Sequence, residues 1–177
     1  EFLIGDDEQG IVPAHAKNLK LDKKVLENEM KANTQKLLRS RKLSLVLDLD
    51  HTLLQAVRDC RASAIAEDPV LGKDVYSFQL CNETHYLKLR PGLAWFLDQL
   101  NPLYDMSVST MGNRAYAEEV LKIIDPDHHF FSQQVVSRED SSDGGNNVKL
   151  IQRVLTCDSK LVMIVDDRTD VWRKDAD

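Results

Sequence analysis

Asp48 and Asp50 stand two residues apart, where the apolar run Leu43–Leu47 gives way to a polar stretch. A second acidic pair, Asp166 and Asp167, follows the apolar stretch "LVMIV". Carboxylates crowded into a low-dielectric crevice repel one another, and they persist when a cation sits between them or when one keeps a proton. Such a set suits a hard divalent ion held by carboxylate and carbonyl oxygens. Magnesium binds few carboxylates and retains several waters, so two acidic side chains suffice. With a phosphate ester as substrate, each part has a role. One carboxylate can attack phosphorus to give an aspartyl-phosphate. A second can protonate the leaving oxygen and then deprotonate the attacking water. Lys149 and Arg90 are candidate cations to offset charge on the transferring group. Thr110 has a hydroxyl that can donate to a phosphate oxygen, and Thr52, just past the second aspartate, can bond back to its own loop.

These residues need elements to position them. Leu43–Leu47 has strand length and reads as a central parallel strand buried on both faces. "DVYSFQL" and "HYLKL" read as a hairpin, with strands at about Val75–Leu80 and His85–Leu89, whereas 55–74 has no clear period. "LAWFLDQL" reads as a short helix, "YDMSVST" as a strand, and "NRAYAEEVLKII" as a helix with Asn113 at its cap. "QQVVS" is a strand, "EDSSDGGNN" a polar loop, "VKLIQRVL" a helix and "LVMIV" a buried strand. Strands alternating with helices imply a parallel α/β sheet, in which ligands bind beyond the carboxyl ends of the strands. Asp48/Asp50, Ser109/Thr110 and Asp166/Asp167 all fall at such ends. Upstream, 22–39 reads as a charged amphipathic helix capped by Asp22, with Leu26, Met30 and Leu37 roughly on one face. Residues 1–18 read as a tail or docked arm, leaving 19–177 as the domain.

The totals narrow the choice. The chain has 177 residues, 42% of them hydrophobic, and a formal net charge of -6. That suffices for one domain with a core and argues against a globally basic nucleic-acid binder. No apolar run approaches the roughly 20 residues of a membrane span, and no secretory leader is evident. Cys60, Cys81 and Cys157 lie far apart and form no paired motif, which fits a reducing compartment. The chain begins with Glu1 and not Met, so it reads as a piece of a longer protein. Trp95 and Trp172 read as core, His128-His129 as a surface turn and "REDSSD" as a solvated loop.

"DLDHT" resembles the D-x-D-x-T signature of the haloacid-dehalogenase-type phosphotransferases. Together with "LKLRPGL", "STMGNRAYAEEVLKIIDPD", "VVSRED" and "VMIVDDRTDVW", in that order over about residues 40 to 172, it resembles one branch. That branch is the FCP/SCP-type phosphatases of the RNA polymerase II C-terminal domain. "DDR-x-DVW" favours the FCP side, since the small SCP enzymes typically carry Asp-Asn where Asp166-Asp167 stand here. The resemblance implies a Rossmann-like parallel sheet flanked by helices, with a small β-hairpin insertion at about 55–89 after the first strand. It makes Asp48 the nucleophile and Asp50 the general acid/base, whose carbonyl oxygen also meets the metal. Thr110 becomes the phosphate-binding hydroxyl, Lys149 the lysine ordering nucleophile and phosphate, and Asp167 the acidic metal ligand supported by Asp166. Arg90 is assigned to substrate or active-site organisation, and Asp125 to a supporting position, structural or functional.

The same resemblance implies magnesium, a nuclear location and phosphoserine in the heptad-repeat tail of RNA polymerase II as substrate. General transcription factors are further candidate partners; nucleic acid and membrane are not expected. The insertion is too short for a large lid, which suits a peptide substrate, and Tyr76, Phe78 and Tyr86 are candidates for lining its groove. A further core segment beyond Trp172, and in FCP members a BRCT domain, are also implied. The competing readings are a non-catalytic phosphopeptide-binding module on the same fold and a phosphatase for another phosphoprotein.

Overall fold

The computed structural model describes residues 23–141, 149, 154 and 157–172. The arm at 1–18, the Asp22 cap and most of the loop and helix expected between 139 and 155 lie outside them. The described elements are α1 (Lys23–Ser40), β1 (Leu43–Leu47), β2 (Leu54–Val57), α2 (Ala62–Glu67), β3 (Val75–Leu80), β4 (Glu83–Leu89) and α3 (Leu93–Leu100). After these come β5 (Tyr104–Ser109), α4 (Arg114–Ile124), β6 (Phe131–Val136), α5 (Arg138–Ser141) and β7 (Val162–Val165).

Four strands form a parallel sheet in the order β6-β5-β1-β7. β1 is central because its sequence can be buried on both sides. Leu45 and Leu47 face the main core, where Met106, Val108, Leu97, Val120 and Phe131 meet them. Val46, one residue out of phase, faces a smaller cluster with Val136 and Val154. α4 supplies the period-3.6 complement: Ala117, Val120, Leu121 and Ile124 are buried, and Asn113 caps the helix by accepting the Tyr116 amide at 2.7 Å. α3 starts from Gly92 at φ 79, a left-handed conformation that only glycine adopts without strain. α1 docks through Leu26 and Leu37, and Met30, expected on the same face, is exposed.

Register does the positioning. Leu47 stands level with Val108 of β5 and Val165 of β7. The next residue of each strand's chain, Asp48, Ser109 and Asp166, therefore emerges at one edge of the sheet. This is the carboxyl edge that the alternation of strands and helices predicts.

The insertion differs from the expected hairpin. It is a three-stranded antiparallel sheet in the order β2-β4-β3, with Leu54 opposite Leu89 and Phe78 opposite His85. β2 has four residues, too few to show a period, and its partner lies some thirty residues further along the chain. The β3–β4 turn is also tighter than expected. Cys81 and Asn82 have φ values of 52 and 62, as a two-residue hairpin turn with right-handed strand twist requires.

Candidate active site

Asp48 follows β1 directly and is 6% exposed. Lys149, 1% exposed, reaches it across 101 residues of sequence. The Lys149 ammonium donates to Asp48 Oδ1 at 2.6 Å, to Asp166 Oδ2 at 2.5 Å and to the Ser109 carbonyl at 2.8 Å. All three ammonium hydrogens thus have acceptors, one from each of the three strand ends. Trp172 holds this lysine in place. Its segment pairs with Lys149 in an isolated parallel bridge, its ring centroid lies 5.4 Å from Nζ, and its indole donates to Asp166 Oδ2 at 2.9 Å. Thr52 bonds to the nucleophile candidate itself, donating to Asp48 Oδ2 at 3.1 Å while accepting the Asp167 amide at 3.2 Å. Burial pushes the Asp48 carboxyl up, and the Lys149 ammonium beside it pulls the other way without cancelling the shift.

Asp50 sits on the outgoing loop and is half-buried. The Tyr116 hydroxyl donates to its Oδ1 at 2.6 Å. Burial raises the Asp50 pKa, and the Tyr116 hydrogen bond only partly offsets this. Burial, and then the Asp50 charge, raises that of Tyr116, which therefore stays a donor. Sequence reasoning missed Tyr116. It lies four residues before Val120 and eight before Ile124, so it falls on α4's buried stripe and reads as ordinary core. Thr110, 1% exposed, directly follows β5, and its hydroxyl oxygen accepts the Gly112 amide at 3.0 Å. That leaves the hydroxyl hydrogen for another acceptor.

Two clefts flank the acidic loop. One, of about 430 Å³, has Asp50, Tyr116, His85, Asn113, Arg58 and Arg138 in its lining. The other, of about 520 Å³, lies against Asp166, Asp167, Thr52, Arg90, Trp95 and Phe96. Arg90 braces the loop from outside, donating to the carbonyls of Thr52 at 2.6 Å and His51 at 2.8 Å. His51 needs that support, since its φ is 64. Asp125, 2% exposed, lies away from these groups. It gathers the amides of His129, Phe130 and Phe131 at 2.7 to 3.2 Å and so shapes the turn between α4 and β6.

Several expectations need correction. Tyr76 and Phe78 share one face of the small sheet, but Tyr86 pairs with Ser77 and points to the other, so the three line no common groove. Phe78 packs against the core, stacked on His85. Trp95, expected in the core, is 67% exposed, because α3 buries only Leu93 and Leu97. Asp140 of "REDSSD" is not solvated: it is 6% exposed and accepts the Ser137 amide and hydroxyl and the Arg114 guanidinium.

The donors fit a divalent cation. Carboxylate oxygens of Asp48, Asp166 and Asp167 lie within 4.8 Å of one another. Asp166 is already engaged, with Oδ2 bound by Lys149 and Trp172 and Oδ1 by the Arg168 amide at 2.9 Å. Asp48 and Asp167 keep lone pairs for an ion, and Asp167 is exposed toward the second cleft. A cation there would also counter the upward push of burial on Asp48. All-oxygen donors suit a hard ion.

A buried aspartate–lysine pair and a second aspartate whose pKa burial raises, at the carboxyl edge of a parallel sheet, define an aspartate-based phosphotransferase type of site. The chain belongs to the NLI interacting factor-like phosphatase family, whose model matches residues 43–177. It is 41% identical over 159 residues to an RNA polymerase II C-terminal domain phosphatase of Schizosaccharomyces pombe, covering 83% of this chain and 21% of that protein. The Homo sapiens protein of the same name is 33% identical over 142 residues, covering 78% and 14%. Among solved structures, Fcp1, an essential RNA polymerase II CTD phosphatase, superposes with a TM-score of 0.72 at 39% identity, over 80% of this chain and 42% of that one. Fission yeast Fcp1 bound to beryllium fluoride gives the same TM-score at 38% identity, over 80% and 41%. The chain thus spans about a fifth or less of those full-length relatives. The α/β fold with its parallel four-stranded sheet matches these neighbours.

Proposed function

We propose that residues 19–177 form the catalytic unit of a magnesium-dependent protein serine phosphatase acting in the nucleus. Its substrate would be the phosphorylated C-terminal heptad-repeat tail of RNA polymerase II, with general transcription factors as further partners. The carrying observation is the buried Lys149, which ties the Asp48 carboxylate to Asp166 and to the end of β5. Asp48 is thereby fixed at the carboxyl edge of the sheet. The names of the relatives support the substrate.

In this mechanism the Asp48 carboxylate attacks phosphorus while Asp50, protonated as its raised pKa favours, gives its proton to the serine oxygen. Asp50 then takes a proton from the water that hydrolyses the aspartyl-phosphate. Thr110 donates to a phosphoryl oxygen, and the Lys149 charge beside Asp48 offsets charge on the transferring group. Magnesium bound by Asp48, Asp167 and the Asp50 carbonyl would supply positive charge against the transferring group. Arg90 keeps the loop carrying Asp50 in its left-handed turn.

The test is phosphate release from a phosphoserine heptad-repeat peptide, with magnesium and with chelator, for wild type and Asp48→Asn. Release that needs magnesium and disappears in the folded variant is expected. A wild type that binds the peptide but releases no phosphate would favour the binding-module alternative.

A further inference from the structure

Two aspartates suffice in outline for the reaction above, yet the closest contact of the Asp50 carboxyl is with Tyr116, at 2.6 Å. The tyrosine ring has little freedom. It is 8% exposed, and a Cβ on Gly112 would stand 2.5 Å from its Cδ1, so the ring lies directly over that glycine. On another side it meets Phe78 and His85, with centroids 6.0 and 6.1 Å away. Those two rings stack on each other at 5.1 Å with planes 8° apart, from facing positions of β3 and β4. The small antiparallel sheet therefore fixes Phe78 and His85, these fix the Tyr116 ring, and the Tyr116 hydroxyl fixes one oxygen of Asp50. A carboxyl on a loop otherwise rotates about two side-chain bonds. Held at Oδ1, it loses that freedom, in a cleft that both residues line.

We infer that Tyr116 is a positioning residue, which holds one oxygen of Asp50 so that the other presents its proton to the leaving oxygen of the substrate. The inference rests on the phosphatase reading. In the first step the bond from Asp48 to phosphorus forms, the bond from phosphorus to the serine oxygen breaks, and that oxygen takes the Asp50 proton. Tyr116 keeps its own proton and touches neither phosphorus nor the leaving group. The value of a well-aimed acid depends on what leaves. A serine alkoxide is a strong base and needs the proton, whereas p-nitrophenolate is a weak base and departs without it.

The experiment compares two substrates, a phosphoserine heptad-repeat peptide and p-nitrophenyl phosphate, in first-turnover rapid-quench kinetics that read phosphoenzyme formation. Wild type, Tyr116→Phe, Asp50→Asn and Phe78→Leu are measured on the 177-residue chain. For Tyr116→Phe the rate with peptide should fall by about tenfold or more at unchanged KM, with a several-fold smaller loss on p-nitrophenyl phosphate. Asp50→Asn should show the same discrimination more strongly. Phe78→Leu, which loosens the rings and leaves the hydroxyl in place, should move the ratio in the same direction by less. Equal losses on both substrates would make Tyr116 mere packing and overturn the inference. A raised KM at unchanged rate would overturn it in favour of a substrate contact, and no loss would overturn it outright. If Tyr116→Phe does not fold, Phe78→Leu decides: an unchanged ratio overturns the inference. A wild type inactive on both substrates would remove the phosphatase reading itself, which an active wild type with an indifferent variant would not.

Discussion

Lys149 is the most consequential single residue in the site, because one buried cation serves two buried carboxylates. The Lys149 and Asp166 side chains are 1% and 5% exposed, and that of Asp48 is 8% exposed. Removing the cation leaves two acids in contact without compensation. Lys149→Met should therefore lower stability in urea melts by about 3–5 kcal/mol. Asp48→Asn leaves the ammonium bonded to Asp166 and Ser109, so its urea midpoint should stay much closer to wild type while turnover disappears. Asp48, Asp50 and Thr110 were legible in the sequence because each stands in a motif, and Lys149 only through the family resemblance. Tyr116 was not, since a side chain on a helix's buried stripe shows no sign of what its hydroxyl meets. Arg90 was legible as a residue but not in its partners, which are backbone carbonyls on a loop thirty-eight residues away. No side-chain pattern records such a contact.

At the scale of elements, the junction from β5 to α4 carries the most. Thr110, Gly112 and Tyr116 lie within seven residues, and Gly112 is the point where the two side chains come together. A methyl group there would stand 2.5 Å from the Tyr116 ring and 3.3 Å from the Thr110 hydroxyl. Gly112→Ala should fold, with near-wild-type far-UV circular dichroism, yet lose turnover by roughly tenfold or more because acid and phosphate ligand are both displaced. The next junction, from β6 into α5, is held by Asp140. Burial alone would raise its pKa, but the Ser137 hydroxyl and amide and the Arg114 guanidinium outweigh that and hold it below the ordinary value. A carboxyl depressed in the folded state adds stability above its unfolded pKa and loses it as pH falls through its folded one. The urea-midpoint gap between wild type and Asp140→Asn should thus be widest near neutral pH and close below about pH 4. Regular elements were mostly legible, since β1, β3 and α3 have the ends their periodicity predicts. β2 was not, because four residues show no period and its pairing is non-local.

For the whole molecule, the two sheets meet at one loop, with a cleft on either side. Asp50 opens toward one cleft and Asp167 toward the other. The proton-transfer and metal-binding halves of the proposed chemistry thus occupy opposite flanks and can be tested apart. Under the magnesium reading, the ion should raise the unfolding temperature of wild type in a concentration-dependent way. Asp167→Asn, altered at an exposed position, should keep the metal-free unfolding temperature and lose the increment.

Assembly of the site also has a timetable. β1 is made before its neighbours in the sheet, β5 and β7, and the lysine that joins Asp48 lies 101 residues downstream. A ribosome adding roughly 5–20 residues per second needs on the order of ten seconds to cover that distance. Through that interval the nascent chain holds the aspartates without their cation, and its central strand gains β5 part-way and β7 only afterwards. A half-made chain therefore lacks the assembled site that the proposed chemistry needs and is at its most dependent on chaperones, whose protection should matter most before β7 emerges.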